Sequence, residues 1–147
     1  YKRQNPFNAF LRLRKEELRH REVVEEIIEF LDLQAYRQAR VSDCPYGVQK
    51  RVEVGRALAT EPKLLLLDEP IAGLTSEEKE ETAYRITEIR GRYETAILLV
   101  EHDLRIASKL ADRMVALDFG QKIAEGSPEA VQKTPAVIRA YLGDEEG

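Results

Sequence analysis

The sequence predicts an α/β protein in which parallel strands are joined by helices, with an all-helical region of about 60 residues placed before them. Three observations carry this. Two apolar runs, residues 63–67 and 95–100, have the length and polar bounds of strands buried on both faces. The segments between and after them read as capped helices, so strand and helix alternate. Residues 1–60 hold helical spacing and no strand-like run, so 1–60 is expected to be a helical subdomain and 61–147 the strand-bearing part.

The elements follow in order. Between residues 13 and 31, Leu18, Val23, Val24, Ile27, Ile28 and Leu31 recur at helical spacing among many Glu and Arg, which describes an amphipathic helix with a solvated back. A loop with Ser42, Asp43, Pro45 and Gly47 leads into a helix over 48–60, in which Val52, Leu58 and Ala59 are available for burial. Glu61 and Pro62 end it, and the first strand follows. Thr75 and Glu78 stand at the spacing of a capping box and open a helix to about residue 92. After the second strand Asp103 caps a helix through residue 111. Residues 114–117 and 122–124 read as a hairpin turning at Phe119 and Gly120, and Ser127-Pro128 starts the last helical region.

Composition narrows the function. With 147 residues, 43% hydrophobic and 34% charged, the chain has the balance of a soluble domain with one core. Its longest apolar runs, 64–67 and 96–100, fall far short of the roughly 20 residues that cross a bilayer as a helix. The net charge is −4 with basic and acidic residues interleaved, which leaves no cationic stripe for nucleic acid. Cys44 is the single cysteine, so neither an internal disulfide nor a Cys-rich zinc site is expected, in keeping with a cytoplasmic setting. The chain opens on Tyr1 with neither a Met start nor a signal-peptide pattern, and the expectation is a fragment.

Three places offer chemistry. Asp68 and Glu69 follow the first strand directly, where open α/β sheets hold ligands; one carboxylate there can hold Mg²⁺ and the next can orient or deprotonate a water, although such a pair in isolation is more often a surface cap. His102 ends the second strand and reaches the same sheet edge if the strands are neighbours; a lone histidine is more often a surface or satisfied core residue. The loop from Cys44 to Val48 delivers backbone amides at a helix start, a place for an anion or an ordinary loop.

In combination these pieces resemble the ATP-binding-cassette ATPases. Pro45-Tyr46-Gly47, with Gln49, Arg51, Glu53, Arg56, Ala57 and Leu58 behind it, looks like the signature motif and its helix. Leu64 to Pro70 looks like Walker B with the catalytic glutamate, Ala72-Gly73-Leu74-Thr75 like the D-loop, and Val100-Glu101-His102-Asp103 like the H-loop. Four motifs in family order make a specific signal. Within the family, Pro-Tyr-Gly in the signature and the tail from Lys122 to Pro128 and from Ala140 to Gly143 look most like the branched-chain amino-acid importers. The lipopolysaccharide-export ATPases come second.

The resemblance implies a partial P-loop NTPase-type core with a C-terminal β-hairpin and a helical subdomain. It implies ATP and Mg²⁺ as cofactors, with Asp68 for Mg²⁺, Glu69 as general base and His102 as γ-phosphate sensor. Tyr46, Gly47 and Val48 would present the signature to ATP held by a second ATPase subunit, and Gly73, Leu74 and Thr75 would form the D-loop. It further implies transmembrane permease partners and a place on the inner face of the cell membrane. Pro45 stands where the family commonly has Ser, Val48 where it has a polar residue, and Thr75 where it has Asp.

No Gly-x-x-x-x-Gly-Lys-Ser/Thr loop occurs, and no glutamine loop is recognisable. The chain alone is therefore expected not to hydrolyse ATP, and the open strand edges of a partial sheet are expected to favour self-association or strand swapping. Two other classes compete: a non-catalytic interaction module, and the C-terminal half of a chromosome-maintenance ATPase. Residues 1–40 lack the sustained heptads that the last requires.

Overall fold

The computed structural model describes residues 6–142, and Pro6–Phe30 form α1. Pro occupies the first helical position, where its missing N–H costs nothing, and the long run of Glu, Arg and Leu behind it contains no helix breaker. Two short 3₁₀ turns, Gln34–Tyr36 and Val41–Asp43, lead to α2, Tyr46–Leu58. The end of α1 is a Schellman arrangement built without glycine. Asp32 takes a left-handed φ of 50°, Leu33 N–H donates to Ile28 O at 2.9 Å, and Asp32 N–H donates to Glu29 O at 3.2 Å.

Two compact units divide the chain between Leu65 and Leu66, where composition alone suggested one core. In the first unit Ile27, Phe30, Leu31, Leu33, Cys44, Val48 and Leu58 are buried. Leu18 and Val24 stay exposed, because they fall on the side of α1 turned from that core. Val52 is half-buried and Ala59 exposed; Gly55 takes the expected packing position instead. A Cβ there would sit 3.0 Å from Leu31 Cδ1 and 3.3 Å from Ile27 Cγ2, so the absence of a side chain lets α1 and α2 approach. The Arg51 guanidinium bridges the same helices by donating to Leu31 O at 3.1 Å.

The second unit takes up the chain within β1, Leu64–Asp68, and continues through α3, Ser76–Tyr93, and β2, Ala96–Val100. β1 and β2 are hydrogen-bonded neighbours. Glu69 N–H at the carboxyl end of β1 meets Val100 O at the carboxyl end of β2, at 2.9 Å, so the strands run parallel with α3 as their crossover. Full burial of both strands is not observed. Leu65 and Leu67 are buried while Leu64, Leu66, Leu98 and Val100 are exposed, because side chains alternate across a strand and this two-stranded sheet is covered on one face.

α4, Leu104–Leu110, is followed by β3, Met114–Asp118, and β4, Gln121–Gly126. The hairpin turns at Phe119 and Gly120, both at positive φ (44° and 79°), the backbone of a type I′ turn. Its register pairs Ala116 with Ala124 and Leu117 with Lys122, which leaves Ile123 as the extra residue of a bulge. α5, Pro128–Gln132, begins at Ser127, whose hydroxyl accepts from Ala130 N–H at 3.3 Å. α6, Pro135–Val137, and a π-helical turn, Ile138–Leu142, complete the described chain. Ala116, Val131 and Val137 form a buried cluster against Leu104, Met114, Ile123 and Ala124.

Candidate functional site

β1 and β2 deliver two functional side chains to one edge. Glu69 follows β1 directly and holds φ at 45°, a left-handed conformation that a non-glycine residue adopts only when its surroundings impose it. The constraint is visible on both sides. Glu69 N–H is bound by Val100 O, and Glu69 O accepts from Ala72 N–H at 3.1 Å. Pro70, Ile71 and Leu74 are buried and anchor the loop that follows, while Gly73 turns it at φ 75°, a value natural to glycine.

The Glu69 carboxylate is open to solvent. Its Oε1 lies 3.3 Å from Nδ1 of His102, with about half of the Glu69 side chain and two thirds of the His102 side chain exposed, so both are open to solvent and to a ligand. Asp68, the last residue of β1, is likewise exposed. Among the described residues no cluster of three or more His, Cys, Asp or Glu could cage a metal. A single hard carboxylate at a strand end nonetheless fits Mg²⁺, which keeps most of its waters and takes phosphate oxygens as further ligands.

The two loops are held from behind. Thr75 caps α3 through a capping box: its Oγ1 accepts from Glu78 N–H at 3.3 Å, and Glu78 Oε2 accepts from Thr75 N–H at 2.9 Å. Asp103 caps α4 by accepting from Ile106 N–H at 3.2 Å, and Lys79 of α3 approaches the same carboxylate at 3.7 Å. Lys109 binds both oxygens of Glu80 at 2.8 and 3.0 Å, and this hydrogen bond holds the Glu80 carboxyl below the usual range. Arg90 pairs with Asp112 at 2.9 Å. α3 and α4 are thus fastened together behind Glu69 and His102.

In the first unit Tyr46 and Gly47 lie in the opening turn of α2 rather than in a loop before it. Pro45 is the N-cap residue and supplies no side-chain acceptor, so the Tyr46 and Gly47 amides point out of the helix start unclaimed by a cap. Val48 differs. Its N–H donates to Pro45 O at 2.9 Å and its side chain is buried, so it serves the helix and not the open face. Gln49 Nε2 donates to Cys44 O at 2.9 Å and fixes the turn. An open groove of about 560 Å³ along α1, lined by Leu18, Glu22, Ile28, Gln34 and Arg37 among others, contains none of the motif residues.

Comparison with known proteins gives this geometry a context. The sequence model of the family described as "ABC transporter" matches residues 1–72, and that of "Branched-chain amino acid ATP-binding cassette transporter" matches residues 121–147. The high-affinity branched-chain amino acid transport ATP-binding protein LivG of Salmonella typhimurium is 41% identical over 117 residues, covering 80% of this chain and 46% of LivG. LivG of Escherichia coli K12 is 40% identical over the same length. The chain belongs to the ATP-binding-cassette transporter family. Among solved structures, the ADP conformation of MJ1267, an ATP-binding cassette of an ABC transporter, superposes with a TM-score of 0.75 at 32% identity, over 86% of this chain and 51% of that one. The chain therefore spans about half the length of the cassette proteins it matches.

Of the residues singled out from the sequence, the structure brings Glu69 and His102 into contact beside Asp68 and gives Thr75 a capping role. Leu74 is buried, and Gly73 beside it is exposed. Sequence reasoning placed Glu101 in the H-loop-like stretch without giving it a role of its own; its side chain is fully shielded. Its signal was a charged residue directly after an apolar strand and directly before the histidine.

Proposed function

We propose that this chain supplies the catalytic edge of an ATPase subunit that drives import of branched-chain amino acids. The 3.3 Å pairing of Glu69 with His102 at the carboxyl ends of two adjacent parallel strands, in a chain of this family, carries the reading. Glu69 accepts a proton from a water as the water oxygen attacks the γ-phosphorus. The bond from that phosphorus to the bridging oxygen breaks, and ADP leaves with its electron pair. His102 holds Glu69 on one side and offers the other ring nitrogen to the γ-phosphate. Asp68 would hold Mg²⁺, which neutralises phosphate charge when bound. Tyr46 and Gly47 amides at the start of α2 receive phosphate from ATP on a second subunit, as helix N-termini receive anions.

The phosphate-cradling Gly-Lys loop is not in this sequence, so the site is completed by a polypeptide that carries one, and this chain alone does not turn over ATP. The first unit acts as the helical subdomain, and permease subunits anchor the assembly at the membrane. No helix among the described residues is long and apolar enough to cross it. The substrate assignment rests on the LivG relatives and on the match of residues 121–147.

The test replaces the corresponding part of LivG in Escherichia coli with this sequence and follows uptake of labelled leucine together with ATP hydrolysis. Both restored is the expected result. Hydrolysis without leucine uptake would remove the substrate assignment and leave the ATPase assignment standing.

A further inference from the structure

The Glu101 side chain has no exposed surface, yet it carries a carboxylate. Burying such a group costs several kcal/mol unless its oxygens are satisfied, and both are. Oε1 accepts from the backbone N–H of Ile71 at 3.3 Å, and Oε2 accepts from the backbone N–H of His102 at 3.1 Å. Oε2 also lies 3.9 Å from His102 Nδ1, behind the Glu69 contact. Ile71 is two residues beyond Glu69 and itself buried, at 1% exposure. One carboxylate therefore grips both loops whose side chains meet at the sheet edge.

We propose that Glu101 is a positioning residue, whose carboxylate ties the Ile71 amide to the His102 amide and so sets the separation between the Glu69 carboxylate and the His102 imidazole. Hydrogen bonds to an ionised acceptor are about twice as strong as neutral ones. Their two donors belong to the rigid backbone, so the tie fixes loop positions rather than side-chain rotamers. The β1–β2 ladder, extended by the hydrogen bond from Glu69 N–H to Val100 O, holds the strand ends together, and Glu101 adds a tie beyond it, two residues further along the loop at Ile71.

The link to turnover rests on the ATPase reading above; the tie itself does not, and the experiment separates the two. Glu101→Gln keeps the shape but can accept on one atom only, and Glu101→Ala accepts on none. Amide hydrogen exchange of this chain, followed by NMR, is expected to quicken at Ile71 or His102 by at least 10-fold in Glu101→Gln and at both in Glu101→Ala, with the α3 core amides of Ile86 and Ile89 unchanged. Unchanged exchange at Ile71 and His102 in both variants would overturn the proposal, and so would an equal rise at all four amides, which marks general destabilisation. In the ATPase completed with a phosphate loop, Glu101→Gln is expected to lower kcat at least 10-fold with KM for ATP within 2-fold. Local loosening with unaltered kcat would overturn positioning for catalysis, whereas a parent protein without turnover would overturn the ATPase reading and leave the tie intact.

Discussion

His102 Nδ1 and Glu69 Oε1 stand 3.3 Å apart at the ends of neighbouring parallel strands, with both side chains largely open to solvent. A solvent-exposed polar contact of this kind adds little to stability, and the left-handed backbone of Glu69 works against it. Chemistry accounts for the arrangement better than folding does. Glu69→Gln is therefore expected to leave the melting temperature of the chain essentially unchanged while lowering turnover of the completed ATPase by about 10²–10⁴-fold, the usual contribution of a general base. Thermal denaturation and steady-state phosphate release measure the two effects.

Thr75 offers a way to separate capping from other roles. Thr75→Ala removes the N-cap acceptor of α3 and is expected to cost about 1 kcal/mol. Thr75→Asp retains an acceptor at the same position and is expected to stay within a few tenths of the parent. Urea denaturation of the two variants decides it.

Gly55 is set by its neighbours in α1. In Gly55→Ala the new Cβ meets Leu31 Cδ1 at 3.0 Å and Ile27 Cγ2 at 3.3 Å, and the gain in helix propensity, about 1 kcal/mol, offsets part of that crowding. Gly55→Val adds bulk that the buried Leu31 and Ile27 cannot yield to, and is expected to destabilise by about 1–3 kcal/mol. Equal stability of the two variants would show that the helices separate freely.

Leu64, Leu66, Leu98 and Val100 leave an apolar face on the sheet. Covering what remains exposed of these four side chains, a little over half of each, contributes roughly 3–7 kcal/mol, against an association cost of about 4–15 kcal/mol, so self-association is expected to be weak and concentration-dependent. Sedimentation velocity should show it for the parent and a monomer for Leu66→Lys with Leu98→Lys. Association unaltered by the double change would place the contact elsewhere.

Acid acts on the hairpin. The Glu125 carboxyl is held below its usual range first by the Lys122 hydrogen bond and then by Arg113. A depressed carboxyl contributes stability that is present above its unfolded value and is lost as pH falls through the folded one. Both partners are exposed, so the effect is small. Glu125→Gln is expected to flatten the fall of the melting temperature below about pH 4.5, the ordinary value of a glutamate carboxyl.

Much of this architecture was legible from local chemistry. Thr75 with Glu78, Asp103, Ser127-Pro128 and the Phe119-Gly120 turn each satisfy backbone groups within a few residues, and each appears where the sequence put it. Burial was less legible. An apolar run such as 64–67 does not reveal how many faces a sheet will cover, and Leu66 proved exposed. The end of α1 was hidden because Asp32, not glycine, takes the left-handed position. Glu69 and His102 could be named as candidates, but their contact depended on strand neighbourhood. Glu101 depended on it entirely, since its partner Ile71 lies 30 residues away.

The most direct test of the catalytic assignment is phosphate release by this sequence fused behind the N-terminal, phosphate-loop half of LivG, compared with the same fusion carrying Glu69→Gln. The account predicts Mg-dependent turnover in the parent fusion, reduced at least 100-fold by the substitution with ATP binding retained. Turnover at equal rates in the two fusions would contradict the assignment of Glu69 as the base.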